Sequence, residues 1–457
     1  MTWLEELQEI LGADQVLTGS SVLDQHSHDF SYHTAHRPDA VVYPANTQQV
    51  SRIVQCAQSH RVPVIAFGQG TGVEGHIIPA AGGITIDFTN MDRIIAIRPE
   101  DFVVQVEPGI TRRALNKALG PYGLFFPVDP GADASLGGMA ATNAAGTEAL
   151  RYGAMRQQVL GLEAVLADGR VVRVGGATMK SSAGYQLTSL FVGSEGTLGL
   201  LTELTLKVYG IPALTVAARA VFDSVEDAGR AATGMMMQGA AVNRMELMDE
   251  QSIAAVNWVE GTSFPVRATL FMEFAGNHRS ALLEDLATCR DVAEENGGRE
   301  WTAEWDADRR NALWHARHRA ALDILAASAG THPFTTDTAV PLSALPAALR
   351  HARDTLTRYG VQGAVLGHVG DGNYHIVMGI DPNNPEQVAQ ARAVNEAVIH
   401  YAWEQGGTCT GEHGIGMGKT RFLREEKGES SQLYWTIKDA LDPNHLLNPG
   451  KTVPMRD

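Results

Sequence analysis

The stretch Gly68-Gln69-Gly70-Thr71-Gly72-Val73-Glu74-Gly75-His76 decides between two ways of building this chain. It follows the apolar run Val62 to Phe67, which reads as a strand, and Gly70, Gly72 and Gly75 satisfy the spacing G-x-G-x-x-G. A dinucleotide fingerprint of that spacing needs a helix immediately afterwards, so that the phosphates meet its N-terminus. The next residues are Ile77-Ile78-Pro79-Ala80-Ala81-Gly82-Gly83, with a proline and two glycines, so a Rossmann fold is rejected. The loop keeps its own chemistry, because successive glycines expose backbone N–H groups in a nest that suits phosphate oxygens.

Upstream, Ala40 to Pro44 reads as a strand, and Asn46 or Thr47 caps a helix running to about Ser59, which gives a β-α-β opening. Before it lie a His-rich connector, Asp24 to Asp39, and an acidic amphipathic helix, Trp3 to Leu11, unlike a signal or transit peptide. Downstream, strands are expected near Ile84 to Phe88, Arg93 to Ile97 and Val103 to Glu107, then a helix over Thr111 to Leu119. The twenty residues from Pro127 to Gly146 carry few large side chains; they are expected to form no core and to line a large flat ligand. Strands Leu160 to Ala167 and Val171 to Val174 flank Asp168-Gly169, and a third small-residue loop, Gly193 to Gly199, enters the strand Leu200 to Val208. Three such loops at strand ends point to one extended cofactor.

The whole chain sets the limits. At 457 residues two domains are expected, and a formal net charge of −16 argues against a nucleic-acid partner. Cys56, Cys289 and Cys409 are widely spaced, so neither a disulfide framework nor a cysteine metal site is indicated. No apolar run approaches the roughly 20 residues of a spanning helix, and a cytoplasmic protein, or one peripheral at a membrane, is expected.

From Ile211-Pro212 the composition changes, and strands over Leu214 to Phe222, Val242 to Leu247 and Val266 to Phe274 alternate with helices. An α+β domain on a mixed or antiparallel sheet is implied. Within it, Gly367 to His375 reads G-H-V-G-D-G-N-Y-H, and Asp371-Gly372 predicts a two-residue turn. That turn would set His368 directly opposite His375 on one face, as two ligands of a divalent metal. A polar hairpin with solvated histidines fits these residues equally well.

The glycine loops, with P-A-N-T-Q-Q-V ahead of them, resemble in order and spacing the FAD-binding domain of the vanillyl-alcohol-oxidase-like flavoproteins. G-H-V-G-D-G-N-Y-H, E-H-G-I-G-M-G-K and D-P-N-H-L-L-N-P-G-K narrow the resemblance to the FAD-dependent D-2-hydroxyacid dehydrogenases, over nearly the whole chain. It implies an α+β fold: an FAD-binding domain of two subdomains (1–211), a cap with a mainly antiparallel sheet and the metal site (212–418), and a tail returning to the FAD domain (419–457). It also implies noncovalent FAD along Gly68, Gly70, Thr71, Gly72, Val73, Gly75, His76, Pro130, Ser135, Gly138, Ala141, Thr142 and Asn143. Glu195, Gly196, Leu200 and Asn448 are placed there too, while Gln69 departs from the arginine of many members.

In the cap, L-W-x-x-R implies that Arg317 clamps the substrate carboxylate, a task that suits a planar guanidinium. Glu412 is implied as third metal ligand with His368 and His375, for zinc first, with manganese and iron also suited. His413, next to a ligand, is the candidate general base. The hydroxyglutarate-type members of the family carry a lysine in the segment Gly330 to Leu349 for a second carboxylate; this chain has no lysine or arginine there, which favours a small or apolar monocarboxylate such as D-lactate, with a D-2-hydroxyglutarate dehydrogenase or a glycolate oxidase flavoprotein subunit as the alternatives. A cytochrome, quinone or electron-transfer flavoprotein is expected as electron acceptor, with a homodimer as one expected assembly. The reading from a different class is a His/His/Glu metallohydrolase, which would have no use for the long cofactor cradle.

Overall fold

The computed structural model describes residues 1–328 and 332–455, which form two compact units. The first comprises Met1–Ala145, Gly153–Ile211 and the chain from Glu412 onward; the second comprises Gly146–Tyr152 and Pro212–Gly411. The last division falls earlier than the expected boundary after residue 418. Its cause is local: the N–H groups of Ile415 and Gly416 donate to the Glu195 carboxylate at 2.7 and 2.8 Å, and that of Met417 donates to Glu74 O at 2.9 Å.

In the first unit, a small sheet runs in the order Val16–Leu17, Ala40–Val42, Ile84–Asp87, Val64–Phe67, its last three strands parallel. These strands are short and apolar because both faces are covered. Helix Thr47–His60 makes the crossover, starting at Asn46, whose side chain accepts the Gln49 N–H, and ending at Arg61 in the left-handed region. Leu7 of helix Trp3–Leu11 packs with Val50, Ile53 and Ile84 in the core beneath. A second sheet of the same unit is antiparallel throughout, in the order Ile94–Arg98, Val103–Val106, Leu200–Lys207, Val159–Val165, Val171–Gly175.

One expectation fails here. Pro127 to Gly146 is not a coreless loop: Leu136–Thr142 is a helix capped by Ser135, and Leu136, Met139 and Ala140 belong to the core. Small residues permit this by allowing close approach; a Cβ on Gly137 would overlap Pro108.

The second unit is built on an antiparallel sheet in the order Arg299–Glu304, Leu214–Phe222, Ala268–Gly276, Val242–Met248, Ala364–His368, Asn373–Ile380, His332–Thr335, with Thr338–Ala339 pairing beside it. Helices Glu250–Glu260 and Ala307–Ala327 cover one face through Ile253, Val256, Trp314 and Ala320 against Met248 and Phe271. In the run Met235-Met236-Met237, Met235 is buried and Met237 exposed.

The histidine hairpin corrects a second expectation. Leu366, not His368, lies opposite His375, so the connection is the four residues Val369 to Gly372 rather than a two-residue turn. Continuing that register sets His368 opposite Asn373. The shift is even, so both histidines still share a face, as diagonal neighbours with ring centroids 5.6 Å apart. Long-range bonds select this register. Asn373 Nδ2 donates to Asp337 Oδ1 and Thr338 O, each at 2.8 Å, and Gly372, at φ +87°, accepts the Val340 N–H through its carbonyl.

Candidate functional site

In the first unit the three glycine-rich segments converge. A Cβ on Gly68 would overlap Ser135 Oγ, so the first loop touches the second at van der Waals limits. The second meets the third through Gly193 N–H to Ala140 O (2.9 Å) and Glu195 N–H to Ala141 O (2.8 Å). Asn448, from the returning tail, ties the first loop to the third, donating through Nδ2 to His76 O at 3.0 Å and Glu195 O at 2.7 Å. Gly70 and Gly75 have φ of +64° and +76°, a left-handed region in which glycine carries no Cβ penalty. The histidine-rich connector lies against this loop, where Phe30 N–H donates to Gly72 O.

Several residues expected at the cofactor are also held by the chain itself. Leu200 is spent in the core with Val42 and Ile84. The Glu195 carboxylate serves the protein's own chain, accepting from Ile415, Gly416 and the Thr452 hydroxyl. Thr142 Oγ1 returns to Gly138 O, and Asn143 Oδ1 accepts Arg156 N–H. Gly72, Val73, Pro130 and Gly138 are half-buried, Gly196 is buried, and Gln69 is exposed.

The cradle fits an elongated anionic cofactor. Cβ atoms on Gly68, Gly72 and Gly75 would overlap neighbouring side chains, and buried His76, whose Nε2 lies 3.6 Å from Glu195 Oε1, makes a hydrogen bond through neither ring nitrogen, nor does Asp29 Oδ2 accept one. Buried polar atoms are normally paired, so such a cluster marks a face made for a ligand.

The second unit carries a row of charged groups on one sheet face. Glu246, in Val242–Met248, pairs across the ladder with His368, and its Oε1 lies 2.7 Å from His368 Nδ1. Its Oε2 lies 2.6 Å from Nη2 of Arg317, which descends from helix Ala307–Ala327. His375 Nδ1 meets Thr336 O at 3.1 Å and stands 3.6 Å from Asp337 Oδ1. Both histidines thus direct Nδ1 at an acceptor, which fixes the proton there and places the lone pair on Nε2, the arrangement of metal-binding imidazoles. The pair fits a divalent ion.

Glu246 and Asp337 escaped sequence reasoning, although each left a trace: an acid inside the apolar strand M-E-L-M, and another in T-T-D-T. Asp337 is fully buried and accepts from Asn373, from the Thr410 hydroxyl at 2.6 Å and from Gly411 N–H at 2.9 Å. Glu412 follows Gly411 directly and belongs to the first unit with His413, whose Nε2 is 3.7 Å from Glu412 Oε1. Of the segment Gly330 to Leu349, residues 330 and 331 lie outside the described residues.

A further trio, Glu6, Cys56 and His60, also brings ligand atoms within 4.8 Å of one another. Burial pushes the Cys56 thiol up to about 12, and a Glu6–His60 ion pair at 3.0 Å accounts for the convergence. None of the three cysteines forms a disulfide, and all three are buried.

Two family models match this chain, the second of them running past the Gly411–Glu412 division. Residues 38–175 match a family described as "FAD binding domain", and residues 211–452 match "FAD linked oxidases, C-terminal domain". A protein of Danio rerio named "Probable D-lactate dehydrogenase, mitochondrial" is 41% identical over 99% of this chain and 92% of its own length. "D-lactate dehydrogenase [cytochrome], mitochondrial" of Arabidopsis thaliana is 40% identical over 93% of this chain and 75% of its own. The "Glycolate oxidase subunit GlcD" of Bacillus subtilis is 31% identical over 98% of this chain and 96% of its own. Among solved structures, p-cresol methylhydroxylase with substrate bound shares the fold at a TM-score of 0.81 and 18% identity, over 99% of this chain and 96% of its own. The chain therefore belongs to the FAD-linked oxidases, in the family of the FAD-dependent D-2-hydroxyacid dehydrogenases, and is a flavoprotein oxidoreductase.

Proposed function

We propose that this flavoprotein oxidises a D-2-hydroxy acid, D-lactate or a related small monocarboxylate, to the 2-oxo acid. The observation that carries the reading is the row Arg317, Glu246, His368 and His375 on one sheet face of a chain with an FAD-binding domain. Relatives named for D-lactate support the substrate class.

FAD would be held noncovalently along the three glycine-rich segments, His76 among the residues that would line it. His368 and His375 would hold a divalent ion, zinc first, with Glu412 as third ligand, a donor set that suits a catalytic metal. When bound, the flavin supplies a hydride acceptor at N5, and the ion lowers the pKa of the substrate hydroxyl.

The chain's own residues do the rest. Arg317 receives the substrate carboxylate through parallel N–H donors and so fixes which hydrogen of Cα is presented. His413 takes the hydroxyl proton, a role for an imidazole because it titrates near neutrality. Glu246 Oε1 and Thr336 O, the acceptors at Nδ1 of His368 and of His375, hold the imidazoles in orientation. The Arabidopsis relative's cytochrome suggests an acceptor of that kind for the electrons.

The test is an anaerobic titration of the purified flavoprotein. Bleaching of the flavin band by D-lactate and not by L-lactate is expected, and a flavin that no D-2-hydroxy acid bleaches would sink the assignment. His413→Asn is expected to retain flavin and metal while losing the bleaching.

A further inference from the structure

Glu246 is fully buried, and each of its oxygens faces a different functional group. Oε1 is 2.7 Å from Nδ1 of a histidine assigned to the metal; Oε2 is 2.6 Å from the guanidinium assigned to the substrate carboxylate. Arg244, two residues before it on the same strand, pairs with Glu148 and Glu273. Arg317, for its part, keeps a buried Nε without a hydrogen-bond partner, so Glu246 occupies only part of its donor set. One negative charge is thereby shared between a cation-binding imidazole and an anion-binding guanidinium in a water-poor setting, where such charges act strongly on one another.

We propose that Glu246 is a shared positioning residue that raises affinity for the metal at the expense of affinity for the carboxylate, an inference that rests on the site assignment above. Toward the metal, it fixes the His368 tautomer and makes the imidazole a better donor to a cation. Toward the substrate, it offsets the Arg317 charge and holds the guanidinium in place with Nε left over. The two effects have opposite signs. A residue that merely supported the fold would, when replaced, weaken both ligands together.

The experiment uses the full-length flavoprotein stripped of metal with a chelator. Zinc affinity is measured against a competing chelator, and propionate, a carboxylate that cannot be oxidised at Cα–OH, is followed by ligand-observed NMR. In Glu246→Gln, which keeps the shape and loses the charge, zinc should bind roughly tenfold or more weakly, the usual loss for an outer carboxylate. Propionate should bind roughly threefold or more tightly, because Arg317 is no longer offset. Propionate binding that is unchanged or weaker, or zinc binding that is unchanged, overturns the proposal.

Arg317→Met gives a second, independent arm. It should abolish propionate binding and leave zinc as tight as in the parent or tighter, since the Glu246 charge is then no longer shared with a guanidinium at position 317. Zinc weakened tenfold in that variant overturns the proposal as well. A parent protein that takes up no zinc, manganese or iron fails the metal assignment itself, an outcome distinct from a metal-binding parent whose Glu246→Gln variant behaves identically.

Discussion

Glu195 illustrates how much one side chain can hold. Its backbone sits at φ +51°, costly for a residue with a Cβ, and its buried carboxylate collects Ile415 N–H, Gly416 N–H and the Thr452 hydroxyl. Glu195→Ala leaves two backbone donors buried without an acceptor, at about 1–3 kcal/mol each. The first unit's thermal transition should fall by the equivalent of about 3 kcal/mol in calorimetry, with Glu195→Gln losing roughly half of that because its carbonyl still accepts. An Ala variant that melts with the parent would remove Glu195 from this role. The sequence reading had Glu195 near the cofactor; its partners lie 220 residues away, where no local pattern points. Glu246 and Asp337 were missed for the same reason. An acid in an apolar strand shows that something must pair with it, yet the partner is chosen by strand pairing and helix packing.

At the scale of an element, the histidine hairpin was legible in place and in face but not in loop length. Asp-Gly marks a turn, and alternation preserves which side chains share a face, so His368 and His375 came out together despite the wrong register. Thr338–Ala339, pairing with Tyr374 and Asn373, fixes the strand start from a distance. Gly372 is where these demands meet: φ is +87°, and a Cβ would collide with Val340 O. Gly360, which ends helix Leu345–Tyr359 at φ +64°, has nothing within 4 Å of a Cβ. Gly360→Ala should therefore cost only the left-handed penalty, about 1–2 kcal/mol. Gly372→Ala should cost about 2 kcal/mol more, because a backbone carbonyl must move. Denaturant unfolding of the second unit measures both, and equal costs would show that the hairpin yields at that point. The helix Leu136–Thr142 teaches the converse lesson, since small residues were read as a lack of core when they were the means of close packing.

At the scale of the whole molecule, the change of composition after Ile211 marks two domains, because a cofactor cradle and an antiparallel sheet leave different compositions, while the returning tail is implied only by the resemblance of its closing motif. Neither discloses how that tail is anchored, which is through buried lysines. Lys438 donates to Thr197 O, Leu447 O and Asp442, and Lys451 donates to Ile78 O and Asn448 Oδ1. Burial holds both ammonium groups below the ordinary lysine value, Lys451 down to about 8. A folded-state value below the unfolded one means that the unfolded chain binds more protons between about pH 8 and 10.5, so stability must rise with pH through that window. The contribution of Lys451 is on the order of 3 kcal/mol, fully unfavourable below pH 8. The formal charge of −16 works against the trend, since added negative charge repels itself, so the informative quantity is a difference between variants. Urea unfolding of the first unit from about pH 7.5 to 9.5 should show the parent gaining on Lys451→Met as pH rises. At neutral pH the variant should stay within about 2 kcal/mol of the parent, because losing the buried charge offsets leaving Ile78 O and Asn448 Oδ1 unpaired. Parallel pH dependences in the two proteins would mean that Lys451 keeps its proton in the fold, and that its two acceptors, rather than burial, govern the charge.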